Sequence, residues 1–108
     1  MAGKAETQIV VPVGGAEAAE RVVAAWQEQG FSRTESSLPG ARLITFARER
    51  SAFRNAMQGT ARIIDQGSET TVELMLDVAP GESTTLLDGR RNRKTLEELA
   101  AAITAAER

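Results

Sequence analysis

Residues 70–79, TTVELMLDVA, constrain the fold more than any other stretch of this chain. Aliphatic side chains occupy every second position and mostly polar side chains lie between them: Val72, Leu74, Leu76 and Val78 alternate with Thr71, Glu73, Met75 and Asp77. A period of two sends the two sets to opposite faces of a β-strand. The pattern is typical of an antiparallel sheet covered on one face and open to water on the other. We therefore expect the rest of the chain to supply neighbouring strands and a cover.

The composition excludes several kinds of chemistry. The 108 residues carry a net charge of only −2, which argues against a dedicated nucleic-acid binder without excluding a local basic patch. Cysteine is absent, so disulfides and thiolate metal sites are absent too. Histidine, the usual base at neutral pH and the commonest metal ligand, is also absent. No apolar run approaches the roughly 18 residues of a membrane span, and no signal peptide is evident, so we predict a cytoplasmic protein without membrane contact.

The first part of the chain predicts a strand followed by a helix. Residues 7–13 form a strand pattern, and Pro12, which cannot donate to a strand ladder, favours a position at the edge of a sheet. Residues 16–29 carry apolar side chains at the i, i+3, i+4 and i+7 positions of one helix face. Gly30 is the expected left-handed cap of this helix, and Phe31 is placed to pack back on its last turn.

Three further segments predict strands that precede residues 70–79. Residues 31–37 and 42–50 form a hairpin pattern, joined by Pro and Gly in the centre of a type II turn at Leu38–Ala41. Residues 60–66 form the next short strand. Consecutive strands joined by short turns favour antiparallel pairing.

Two segments leave alternatives open. Residues 51–59 fit either a short helix capped by Ser51 or a loop between strands. A long connection leads to an amphipathic helix over residues 95–107, where Thr95 begins a capping-box pattern. Alternatively, Asp88 caps a longer helix that carries several basic residues on its first turns.

The order of elements predicts an α+β fold. We expect a two-layer sandwich of a mainly antiparallel, four- to five-stranded sheet with two helices on one face, in the order β-α-β-β-β-β-α. Residues 1–6 are predicted to be a flexible terminus and residues 7–108 a single domain. The same order of elements occurs in helix-grip and saddle-like folds, and this similarity is one of topology alone.

The most unusual local feature is a run of basic residues, which we name the basic cluster: Arg90, Arg91, Arg93 and Lys94. Such a concentration of charge can hold a phosphate or an acidic partner. The more ordinary interpretation is a solvated charge run that pairs with the acidic residues of segment 65–88. We favour the second interpretation, because the run lacks interleaved aromatic residues.

A second set of candidate binding residues lies on the predicted strands. Arg48 and Arg62 are expected to project from the open face of the sheet, where Glu73 and Asp77 on the neighbouring strand can pair with them. Left unpaired, the two arginines would suit a phosphate or a carboxylate. Met75, together with Ile64, is expected to form the apolar centre of that face.

Catalytic and metal-binding residues are sparse. The serines have no histidine partner, and the sequence predicts no cofactor and does not favour an enzyme. Asp65, Glu73 and Asp77 can approach one another across a hairpin and hold Mg²⁺, although their spacing does not require it.

The main functional hypothesis is a small non-enzymatic interaction domain. It would bind itself or another protein through the open face and edges of its sheet. A second hypothesis is a small-molecule carrier or sensor with a cavity between helices and sheet, lined by Trp26, Phe31, Phe46 and Phe53, although such residues are usually core. A third is a nucleic-acid binder that uses the two sets of arginines.

Overall fold

Five strands and two helices make up the computed structural model of the protein, which describes residues 4–34, 43–49, 56–79 and 86–105. In chain order the elements are β1 (Ala5–Val11), α1 (Gly15–Glu28), β2 (Ser32–Arg33), β3 (Leu43–Arg48), β4 (Met57–Asp65), β5 (Thr70–Val78) and α2 (Leu86–Ala105). The strands form one sheet in the order β1-β5-β4-β3-β2, and every neighbouring pair is antiparallel. The predicted fold class and element order are confirmed.

Strand β5 has the two-sided character that its sequence predicts. It pairs with β1 along one side and with β4 along the other. Its aliphatic side chains, from Val72 to Val78, are buried on the face that the helices cover, which we call the inner face. Glu73, Met75 and Asp77 alternate with them on the opposite, outer face.

Both helices pack on the inner face, over different strands. Helix α2 lies against β1 and β5, whereas α1 lies against β4 and the edge strand β2, and the two helices also contact each other. The core forms where their apolar stripes meet the sheet, with Val22 and Trp26 from α1 and Leu96, Leu99 and Ile103 from α2 almost fully buried.

The end of α1 follows the predicted capping pattern. Gly30 has a φ of +89°, the left-handed region that a residue without a Cβ adopts at little cost. The backbone N–H of Phe31 donates to the carbonyl oxygen of Trp26 at 3.1 Å, and the two rings meet edge to face with centroids 4.9 Å apart. Phe31 therefore packs back on the last turn of the helix, as its sequence position predicts.

Several boundaries differ from those that the sequence predicts. β1 begins at Ala5 and ends just before Pro12, and it lies at the edge of the sheet as that proline predicts. Met57 is the first residue of β4, so the helix predicted as one alternative for segment 51–59 does not extend to it. The remainder of that alternative (51–55) and the turn at 38–41 lie outside the described residues.

The second helix is much longer than its apolar stripe suggests. It begins at Leu86, so the interpretation of Thr95 as its N-cap is wrong, and Asp88 lies within the helix and not at its cap. The reason lies at Asn92, which is only 4% exposed and occupies the turn before Leu96 on the buried side. A polar residue at a buried position interrupts the hydrophobic pattern without ending the helix. Neither helix, within the part of the chain described, has the length and apolar character needed to cross a bilayer.

Candidate functional site

An open groove of about 760 Å³ runs along α1, between that helix and the inner face of β3 and β4. One wall is formed by small and medium side chains of the helix, which include Ala16, Ala19 and Val23. The sheet side is formed by Ile44 on β3 and Ile63 on β4. The walls are therefore largely apolar, although the groove is open to water.

The groove exists because α1 presents two different stripes. The stripe containing Ala18, Val22 and Trp26 is buried in the core. The neighbouring stripe, which includes Ala16 and Ala24, is exposed and carries no bulky side chain. Successive side chains on a helix are about 100° apart, so a helix packed on the sheet by its first stripe turns the second towards the flank. Methyl groups there leave the space unfilled.

A carboxylate closes one end of the groove. Asp65 is the last residue of β4, and its side chain lies against Gly15, the first residue of α1. A Cβ built on Gly15 would lie 2.7 Å from Oδ2 of Asp65, so only glycine permits this approach. Oδ1 accepts a hydrogen bond from the backbone N–H of Gly67 at 2.9 Å. The negative charge lies at the helix N-terminus, where the dipole stabilises it.

A guanidinium lies at the other end. Arg33 pairs with Phe46 across β2 and β3, which places its side chain on the inner face. It lines the groove together with Gln27 from the last turn of α1. Glu20 lines the groove between the two ends. Neither Arg33 nor Glu20 forms a hydrogen bond or ion pair within the described part of the chain, and both side chains are exposed. The groove therefore offers charged groups that are free to contact a bound molecule.

The space directly beneath α1 is filled by aromatic rings. The indole of Trp26 stacks on Phe46 with centroids 4.5 Å apart and an angle of 2° between the planes, and its benzo edge lies against Gly59 on β4. Trp26 is fully buried, and its Nε1 has no hydrogen-bond partner among the residues that the structure describes. These aromatic residues form core, and the accessible volume lies on the flank of the helix.

Arg48 does not project from the open face of the sheet, which corrects the sequence-based expectation. Its Nη1 donates to the carbonyl oxygen of Gln29 at 3.1 Å, and its guanidinium lies 4.7 Å from the centre of the Phe31 ring. The register explains the error. Leu43 pairs with Arg62, and Arg48 is an odd number of residues from Leu43, so the two arginines lie on opposite faces.

Arg62 and Met75 lie together on the outer face. Arg62 Nη1 is 3.9 Å from Oε1 of Glu73, its cross-strand partner, which is one of the pairings that the sequence predicts. Asp77, the other predicted partner, instead accepts a hydrogen bond at Oδ1 from the backbone N–H of Val78. A depression of about 440 Å³ on this face includes Arg62, Glu73 and Met75.

The carboxylate cluster that the sequence allows without requiring it does not form. Asp65 faces the groove on the inner side, whereas Glu73 and Asp77 lie on the outer face. Within the described residues, no group of three or more acidic side chains is placed to hold a metal ion.

The basic cluster lies on the water-facing side of α2. Its four side chains are exposed, and none forms an ion pair or hydrogen bond within the described residues. The predicted pairing is therefore not made with the described acidic residues of segment 65–88, whereas Glu82 and the side chain of Asp88 lie outside the described residues. Because α2 covers β1 and β5 at the opposite end of the sheet, the cluster is separate from the groove beside α1.

Sequence reasoning missed the groove residues Glu20 and Arg33 and gave Asp65 a different role. The available signal was the row of alanines at Ala16, Ala19 and Ala24 beside the apolar stripe of α1. Such a row is equally typical of an ordinary solvated helix surface. Only the position of the sheet turns it into one wall of a groove.

Solved structures with a similar fold indicate the class of protein that this chain resembles. A START superfamily protein from Mycobacterium smegmatis matches it with a TM-score of 0.71 at 13% identity, over 95% of each chain. A protein from Nitrosospira multiformis matches with a TM-score of 0.69 at 12% identity, over 94% of each chain. The Zhui aromatase/cyclase from Streptomyces sp. R1128 matches with a TM-score of 0.58 at 14% identity, over 95% of this chain and 92% of that one. At these identities the likeness establishes a shared helix-grip fold. No family model and no curated protein matches the sequence.

These findings correct the main functional hypothesis. The prediction of self-association or protein binding on the sheet surface is wrong. The findings also favour a small molecule over nucleic acid, which the low net charge already disfavoured. The chain shares its fold with a START superfamily protein and an aromatase/cyclase. The alternative hypothesis of a small-molecule carrier or sensor agrees better with that fold.

Proposed function

We propose that this chain is a small-molecule-binding domain whose ligand lies in the groove between α1 and the inner face of the sheet. The observation that carries the proposal is the groove itself, with apolar walls and charged groups at its ends. Ligand sites are typically concave, largely apolar and about 300–1,000 Å³ in volume, with a few polar groups that orient the ligand. The groove has this character, and the fold is shared with proteins named as START superfamily and aromatase/cyclase.

The distribution of free polar groups supports the inner face as the binding surface. The charged pair on the outer face, Arg62 and Glu73, is already matched across the strands. In the groove, Arg33 and Glu20 form no hydrogen bond or ion pair with any residue that the structure describes. A ligand there gains contacts without breaking an existing ion pair.

The first test measures binding of N-phenyl-1-naphthylamine, a neutral apolar dye that becomes fluorescent on leaving water. We expect saturable one-site binding to the parent protein. The double substitution Ala16→Phe and Ala24→Phe fills the groove with two rings and should abolish this binding. Ala16 and Ala24 are exposed, so the fold should be retained.

The matched control is Ala101→Phe with Ala105→Phe, which places the same side chains on exposed positions of α2. This variant carries the same cost in helix propensity and the same added apolar surface. It should bind the dye as the parent does. Equal binding by the two double variants would refute the groove as the site. Native mass spectrometry of the protein from its own host would then identify any natural ligand by its mass.

A further inference from the structure

The two ends of the groove carry opposite charges. Asp65 lies beside Gly15 at the start of α1, whereas Arg33 and Gln27 lie at the end of the helix. The register places Arg33 opposite Phe46, and Phe46 opposite Gly59. Asp65 lies six residues further along β4 (65 − 59 = 6), which corresponds to about 20 Å at the rise of a strand. The negative and positive ends are therefore separated by about half of the longest dimension of the domain, which is 41 Å.

The helix gives an independent estimate of the same distance. Gly15 and Gln27 line the two ends and are twelve residues apart (27 − 15 = 12), which corresponds to about 18 Å of helix. Ala19, Val23, Ile44 and Ile63 lie between these ends and are apolar. A ligand that fills the groove is therefore elongated, with an apolar body.

The two charged ends differ in their availability. The Asp65 carboxylate already accepts a hydrogen bond from Gly67 and lies at the positive end of the α1 dipole. Arg33 has no partner among residues 4–34, 43–49, 56–79 and 86–105, and it presents a planar guanidinium, which suits the two oxygens of a carboxylate or sulfonate. Glu20, which is also unpaired within these ranges, disfavours a negative charge in the middle of the groove. The free charge that remains for a ligand end group is positive and lies at the Arg33 end.

We infer that the groove takes an elongated apolar molecule with one anionic end group, a carboxylate or a group of similar shape, and that Arg33 binds this group and sets the orientation. The inference rests on the proposed binding function and adds the class of ligand. Arg33 acts here as a specificity residue, because it contacts the charged end and leaves the apolar body to the walls of the groove.

The test compares two dyes that differ chiefly in one anionic group. 8-Anilinonaphthalene-1-sulfonate carries a sulfonate, and N-phenyl-1-naphthylamine is its neutral counterpart. We expect the sulfonate dye to bind about tenfold more tightly to the parent at low salt, since a charge-assisted contact at an exposed site has a modest strength. The preference should shrink as salt is added, because exposed charges are screened.

Substitution of Arg33 separates the contribution of its positive charge from the affinity of the groove for apolar molecules. Arg33→Gln should weaken binding of the sulfonate dye by about tenfold relative to the neutral dye, so that the preference is lost. Arg62→Gln, a matched change on the outer face, should leave both affinities unchanged. A thermal melt of each variant confirms that the fold is intact. Decanoate should displace the bound dye from the parent, and decanol should displace it much less effectively.

The outcomes distinguish this inference from the proposed function. Equal binding of the two dyes, or a preference that survives Arg33→Gln, overturns the anionic ligand class while the groove stays a binding site. Failure of both dyes to bind the parent overturns both proposals. A preference lost in Arg33→Gln and retained in Arg62→Gln supports the assignment of Arg33.

Discussion

Gly59→Ala tests whether the aromatic packing under α1 is as tight as the structure shows. A Cβ on Gly59 would lie 2.5 Å from Cζ3 of Trp26 and 2.9 Å from the carbonyl oxygen of Met75, which belongs to the neighbouring strand. Neither group has room to move away. The carbonyl belongs to the strand ladder, and the indole is fully buried against Phe46 and Phe31.

The expected loss of stability follows from three contributions. Overpacking a core typically costs about 1–3 kcal/mol. Shifting the indole also weakens its stacking on Phe46, a contact of a kind worth roughly 1 kcal/mol. Replacing glycine by alanine in a strand returns about 0.5–1 kcal/mol through lower conformational entropy of the unfolded chain. The net expectation is a destabilisation of about 2 kcal/mol, or a decrease in Tm of roughly 8 °C for a domain of this size.

The assay is urea unfolding followed by far-UV circular dichroism, which does not depend on the tryptophan. A double-mutant cycle with Trp26→Phe isolates the contact, because phenylalanine lacks the outer ring that meets Gly59. Trp26→Phe alone should destabilise the protein by creating a cavity. Gly59→Ala in that background loses the clash with the indole but keeps the contact with the Met75 carbonyl oxygen, so it should cost about 1 kcal/mol and give a coupling energy of about 1 kcal/mol. Equal costs in both backgrounds would show that Trp26 does not occupy the space above Gly59.

Two further predictions concern the faces of the sheet and the second helix. Leu76→Asp places an unpaired charge under the helices. It should lower the free energy of unfolding by more than about 4 kcal/mol, which is enough to abolish a cooperative thermal transition. Met75→Asp on the outer face should change the free energy of unfolding by less than about 1 kcal/mol. A cooperative melt of Leu76→Asp near that of the parent would contradict the assignment of the inner face. Replacing all four residues of the basic cluster by Gln, which preserves helix propensity, should change the free energy of unfolding by no more than about 0.5 kcal/mol in urea, because none of the four has a partner in the part of the chain that the structure describes. A larger loss would mean that these side chains stabilise the fold.

Local patterns in the sequence were sufficient for most of the secondary structure. The alternation in β5 predicts which residues face the core, since the period of a strand is fixed by its backbone. Pro12 predicts an edge strand and Gly30 predicts the end of α1, because each residue type restricts the backbone in a particular way. These features depend only on residues that are close in sequence, so they can be predicted without knowledge of the tertiary structure.

The start of α2 could not be read in the same way. Asn92 is polar, and its burial depends on α2 packing against the sheet. A polar residue at a buried position therefore made the first turns of the helix resemble a solvated loop. The same difficulty affected Arg48, whose face depends on the register between β3 and β4 and not on its own strand alone.

The sequence by itself determined the alternating strand, the amphipathic first helix and the α+β class, because side-chain periodicity and restricted backbone angles act over a few residues. Only the tertiary structure decided where a binding site lies. Asp65 and Arg33 are distant in sequence, and both line the groove only because the sheet and the helix are packed together. The row of alanines on α1 likewise becomes one wall of a groove only where the sheet lies beside it. A groove is a space between elements, and its walls are set by pairing register and helix packing, which are long-range interactions that no single segment encodes.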